Sequence, residues 1–224
     1  MVRKITNTVT RNRATRFKKA RQVREIPLLS HDLTELAQDA QNCRNCDLWR
    51  NATQTVFGEG APDARIMLVG EVPGDQEDLQ GHPFVGPAGR YLRAKLQEAG
   101  IDLKHVYLTN AVKHFKWEPR GRRRIHKKPS AGEITACRPW LNAEIVALKP
   151  EIIVCLGATA AQTLLGRDFR VTLHRGEFLQ SSIAPHVMAT IHPSAILRAP
   201  DENSRQQQER QFLNDLKKIA SIRH

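Results

Sequence analysis

Four short apolar runs restrict this chain more than any other feature: ARIMLVG (64–70), HVYLTNAV (105–112), EIIVCLG (151–157) and HVMATIHP (186–193). Each is too short for a helix of ordinary length and is closed by turn-forming residues, the pattern of a strand buried on both faces. Helical patterns lie between them. GPAGRYLRAKLQEAG places Pro87 at a helix start and Gly100 at its stop, with Leu92, Leu96 and Ala99 turned inward. Ser130 and Glu133 form an S-x-x-E capping box, after which Ile134, Cys137, Leu141, Ile145 and Leu148 share one face. SHDLTELAQDAQNC before the first strand and RQFLNDLKKIA at the end complete the set. Strands alternating with helices predict an α/β fold, a three-layer αβα sandwich with a central four-stranded parallel sheet. In such sheets ligands bind beyond the carboxyl ends of the strands.

Polar residues collect at those ends. The first strand runs into GEVPGDQEDLQGHPFVGPAGR, a turn-rich loop carrying Glu71, Asp75, Glu77 and Asp78. It lacks both GK[ST] and GxGxxG, so it is neither a Walker loop nor a dinucleotide fingerprint. The second strand ends at Asn110, whose amide offers a donor side and an acceptor side, as reading a base edge requires. The fourth ends at His192. Singly these read equally well as a solvated acidic loop, a turn cap and a structural histidine; their convergence on one edge reads as a site.

Charge is unevenly distributed. Net charge is +12, and residues 1–24 hold nine Lys/Arg and no acid, leaving +3 (12 − 9) for the remaining 200 residues. The chain therefore divides into a basic arm, residues 1–29, predicted to be disordered, and one domain, residues 30–224. The arm reads as a solubilising tail or as a phosphate-binding arm. A second basic run, EPRGRRRIHKKPS (118–130), encloses a single histidine, His126. Its neighbours Arg122, Arg123, Arg124, Lys127 and Lys128 are expected to disfavour protonation of the imidazole. No apolar run is long enough to span a bilayer and no secretory pattern follows the basic start, so a cytoplasmic monomer without membrane contact is expected. Of four cysteines, Cys43 and Cys46 form a CxxC that favours metal or cluster ligation over a disulfide. By spacing alone Cys137 and Cys155 suit buried core positions equally well, and a zinc site stays open.

GEVPGDQED, GHPFVGPAGR, TNAVKH, RRRIHKKPS, CRPW and HPS, in this order, resemble the uracil-DNA glycosylase superfamily. The resemblance runs from about His31 to the C terminus. It is nearest to the iron–sulfur members and, through the R-I-H segment, to the UdgX type, which becomes covalently joined to uracil-containing DNA. It implies that Phe84 stacks on an extruded uracil, that Asn110 reads O4 and N3–H, and that His192 stabilises the departing uracil anion. It implies that Glu71 stabilises the sugar cation and that Pro193 and Ser194 press on the DNA backbone. Asp75, Arg123 and Arg124 join the substrate contacts, and His126 attacks C1′. The four cysteines, Cys43, Cys46, Cys137 and Cys155, would hold one 4Fe–4S cluster. One position departs: Val72 stands where the UdgX pattern leads to glutamine.

Three readings follow. The chain is a self-capturing uracil-DNA glycosylase acting in DNA repair on single-stranded and double-stranded DNA, a multiple-turnover hydrolase of the same fold, or a non-catalytic DNA-binding module with a cluster.

Overall fold

A computed structural model of the chain describes residues 32–222, so the basic arm lies outside the described residues. The four apolar runs form strands β1 (Ile66–Gly70), β2 (Val106–Asn110), β5 (Ile152–Leu156) and β7 (His186–Thr190). All four are parallel, in the spatial order β2-β1-β5-β7. A two-residue strand, β6 (Phe178–Leu179), pairs antiparallel with β7 and closes that edge. The expected parallel sheet is therefore present, with one short antiparallel strand added.

Helices cover both faces. They are α1 (Leu33–Gln41), α2 (Asp75–Gln80), α3 (Pro87–Glu98), α4 (Ala131–Leu148), α5 (Ala158–Leu165), α6 (Val171–His174), α7 (Pro193–Leu197) and α8 (Glu202–Ala220). Strand alternation sorts the core into two layers. Ile66, Leu68, Ile152, Val154 and Leu156 face Leu92 and Leu96 of α3 and Phe212 and Leu216 of α8. Met67, Val69, Ile153 and Cys155 face Leu141, Ile145 and Leu148 of α4 and Ala160 and Ala161 of α5. A third cluster lies between α1 and α4, with Leu36, Ala40, Phe57, Cys137 and Trp140. The capping box forms as expected: the Ser130 hydroxyl accepts from Glu133 N–H, and the Glu133 carboxylate accepts from Ser130 N–H.

The basic run around His126 has regular structure. It folds as an antiparallel hairpin, β3 (Trp117–Arg120) and β4 (Arg123–His126), separate from the main sheet. Gly121 at its turn has φ +60°, a left-handed conformation that glycine adopts without strain.

Candidate active site

β1 and β2 end in register, with Gly70 opposite Asn110. A side chain at Gly70 would collide with the Asn110 Oδ1 and would come within 2.7 Å of the Phe84 ring. The bare α-carbon thus lets an amide and an aromatic ring close over the strand end. Asn110 is buried, and its backbone carbonyl accepts from Lys113 Nζ at 2.8 Å. Lys113 forms a wholly buried ion pair with Glu144 of α4 at 2.5 Å. Glu144 also accepts from Thr109, Tyr107 and Gly58, so the carboxylate is fully hydrogen-bonded and rigidly ties β2 to α4. Sequence reasoning missed this pair, although a glutamate among the apolar positions of α4 signals a buried partner.

Phe84 is buried at φ +57°, rare for a bulky side chain. Its ring stacks on His192 with centroids 6.3 Å apart and planes 26° apart. His192 caps α7. Its Nδ1 accepts from Ser194 N–H at 3.2 Å and lies 2.8 Å from the Ser194 hydroxyl, which itself accepts from Arg198 at 3.1 Å. With Nδ1 an acceptor, the network assigns the proton to Nε2. Dense surroundings lower the His192 pKa to about 4, burial contributing most and the charges of Arg198 and His126 adding to it. The ring is therefore a neutral Nε2–H donor at physiological pH. Gly157, at φ +89°, lets the start of α5 pass this ring, since a side chain there would sit 3.1 Å from the His192 β-carbon. Pro193 is buried as the first residue of α7.

The hairpin brings His126 to the same edge. Its ring lies 6.2 Å from the Phe115 ring, centroid to centroid, and its residue pairs with Trp117 across the hairpin. His126 is exposed at the end of β4, yet partial desolvation of its ring lowers its pKa; Glu71 and Glu77 oppose the shift, and Arg198 assists it. The expected direction holds, but its cause does not. The charges that act on the imidazole are Glu71, Arg198 and Glu77, and Arg124 of its own run is engaged by other acids.

Arg124 shows why. Its guanidinium donates to Asp75 Oδ1 and Asp78 Oδ2, both at 2.6 Å, and to Thr53 Oγ1 at 3.2 Å. It also sits 5.2 Å from the Phe115 ring centroid and 5.6 Å from that of Trp117. Asp78 is wholly buried and accepts further bonds from Thr53. Arg124 and Asp75, expected at the DNA, are thus joined to each other and latch the hairpin to α2. Arg123 stays exposed on β4. Arg198 went unnoticed in the sequence, although its spacing of four from Ser194 on a helix puts the two side by side.

The expected four-cysteine set does not assemble. Cys43, Cys46 and Cys137 share the third core cluster and influence one another's charge. Cys43 Sγ lies 3.2 Å from Trp140 Nε1, and Cys137 Sγ accepts from Lys113 N–H at 3.2 Å. Cys155 belongs to the core between β5 and α4–α5, where burial alone raises its thiol pKa to about 12. The pleat of β5 sets that direction, which puts Cys155 in a different core cluster from Cys43, Cys46 and Cys137. Among the described residues no group of three or more His, Cys, Asp or Glu is gathered as a metal site.

The family model described as the Uracil DNA glycosylase superfamily matches residues 57–217. The chain belongs to the uracil DNA glycosylase superfamily. It is 37% identical to a type-4 uracil-DNA glycosylase of Thermotoga maritima over 193 residues, covering 85% of this chain and 95% of that protein. A type-4 enzyme of Sulfurisphaera tokodaii is 37% identical over 179 residues, 75% of this chain and 77% of the relative. A type-5 enzyme of Thermus thermophilus is 33% identical over 159 residues, 62% and 68% of the two chains. The superfamily match spans Glu71, Phe84, Asn110, His126 and His192, along with Cys137 and Cys155; Cys43 and Cys46 precede it. Among the described residues no helix is long and apolar enough to cross a membrane.

Proposed function

We propose that this chain removes uracil from DNA and that His126 then captures the exposed sugar. The observation that carries the reading is the edge where Asn110 and Phe84 close over Gly70 and Phe84 stacks on His192, with His126 near enough to feel the charge of Glu71 and to act on His192. An extruded uracil stacks on Phe84 and is read by Asn110, which offers a donor to O4 and an acceptor to N3–H. Cytosine inverts that pattern and leaves buried polar groups unpaired. As the C1′–N1 bond breaks, the pair of electrons leaves with uracil, and the Nε2–H of His192 stabilises charge growing on O2. A neutral donor suits this role, since it keeps its proton while polarising the oxygen. Pro193 and Ser194 contact the flipped nucleotide's backbone.

The sugar cation then meets a nucleophile. Glu71 stabilises the cation, and a neutral His126 ring nitrogen donates its lone pair to C1′. The other ring nitrogen loses its proton to Glu71 or solvent, which leaves a neutral N-glycosyl imidazole. Such a group departs poorly, so the adduct persists. Proximity favours His126 over water, because a fixed neighbour acts at a high effective concentration.

A second reading has its own support. The relatives named type-4 uracil-DNA glycosylase cover most of this chain, and Val72 removes a polar group beside Glu71. In that reading water attacks and the enzyme turns over. The two separate on a denaturing gel with uracil-containing single-stranded DNA. Self-capture gives an SDS-resistant protein–DNA band, and hydrolysis gives abasic DNA without it. Uracil left intact contradicts both.

The iron–sulfur expectation rests on the resemblance. Of the four cysteines, Cys43, Cys46 and Cys137 are the ones their shared surroundings favour, and no chemical step is assigned to a cluster.

A further inference from the structure

The site edge continues into a groove that none of the roles above uses. α4 starts five residues after His126, and α5 starts beside His192, so both helices lead away from the edge. Between them runs a groove of about 420 Å³ lined by Lys128, Arg138 and Arg167 and by Thr159, Gln162 and Thr163. No carboxylate lines it. All three cations are exposed, and none is ion-paired among the described residues. They differ in this from Arg65, Lys113, Arg124 and Arg175, which are each held by an acid.

We propose that this groove carries the phosphodiester backbone of the DNA strand as it leaves the site. A small anion site gathers its donors around one point in a concave pocket. Here the cations stand on separate segments along the groove instead: Lys128 before α4, Arg138 about two turns into it and Arg167 just past the end of α5. The eight residues of α5 cover about 12 Å of that groove. A charged polymer with regularly spaced phosphates matches such a row. Ile134, half-buried between the cations, offers apolar surface to the sugars. The inference rests on the glycosylase reading only for the placement of the strand at the site edge.

The test is the salt dependence of binding to a long single strand containing thymine and no uracil, measured on the full chain by fluorescence anisotropy. Phosphate contacts carry no sequence information, so uracil release is not needed for the result. Arg138→Ala/Arg167→Ala is expected to flatten the slope of log K against log salt by about 1.4, at ~0.7 per cation. That change corresponds to about 25-fold weaker binding near roughly 0.1 M salt, fading toward 1 M. Arg138→Lys/Arg167→Lys is expected to restore the slope. Lys217→Ala, an exposed cation on α8, is expected to leave it unchanged. An unaltered slope in the alanine pair, or an equal loss from Lys217→Ala, overturns the proposal. Failure of uracil release with the slope change intact removes the glycosylase reading and leaves the groove standing.

Discussion

Loss of solvent around the ring disfavours protonation of both histidines at this edge. Burial, with the charges of Arg198 and His126 adding to it, lowers the His192 pKa to about 4. The pKa of His126, on the exposed hairpin, is lowered by partial desolvation of its ring against the opposing pull of Glu71 and Glu77. The sign matters for capture. Below its pKa an imidazole is protonated and has no lone pair to give, so capture is lost as pH falls through that value. With His126 below its ordinary 6.5, the rate of adduct formation is expected to stay level through pH 7 and to fall only under an apparent pKa lower than 6.5. A pH series of single-turnover crosslinking reads this directly, and a midpoint at or above 6.5 contradicts it. Glu71, Asn110 and His192 were legible in the sequence because each closes a strand whose buried run sets its end. The partners of His126 were not, because Glu71, Glu77 and Arg198 reach it only through tertiary structure.

The elements differ in how plainly their residues announce them. β1, β2, β5 and β7 are buried along almost their whole length, so unbroken apolar runs marked them. The hairpin β3–β4 is mostly exposed, contains Pro119 and is crowded with cations, so it read only as a basic run. It forms because Arg124 and the Phe115 and Trp117 rings anchor it, a cause that no local pattern reveals. α2 was hidden in a glycine-rich acidic stretch, although its carboxylates suit a helix N terminus. The latch gives the hairpin its place and thereby places His126. Arg124→Met would leave the buried Asp78 without its cation and is expected to cost about 3 kcal/mol in a denaturant melt. It is also expected to lower the yield of adduct relative to released uracil, since the nucleophile is loosened while Asn110 and His192 stay put. Equal losses of adduct and of uracil release would show that the latch serves the fold alone.

In the whole molecule, two of the core clusters divide the cysteines three to one. Cys155 is a core residue of the sheet, and Cys137 of α4 shares a separate cluster with Cys43 and Cys46. Sequence spacing could not show this, since an apolar helix face and an apolar strand both welcome a thiol. Cys155→Ala is expected to leave iron per chain unchanged and to cost about 1–2 kcal/mol for the small cavity. Cys43→Ala is expected to lower the iron content. Loss of iron from Cys155→Ala with near-ultraviolet circular dichroism intact would contradict the division. The fold brings its strand ends, the latched hairpin and the start of α7 to one edge, and the proposed capture requires that one imidazole there reach the sugar before solvent does. The direct test is denaturing electrophoresis followed by peptide mass spectrometry, on wild-type chain and His126→Ala incubated with uracil-containing single-stranded DNA. The expected result is a heat- and SDS-stable adduct whose deoxyribose maps to His126 and which vanishes in His126→Ala. An adduct that survives the substitution, or a sugar mapped to any other side chain, contradicts the proposal at its centre.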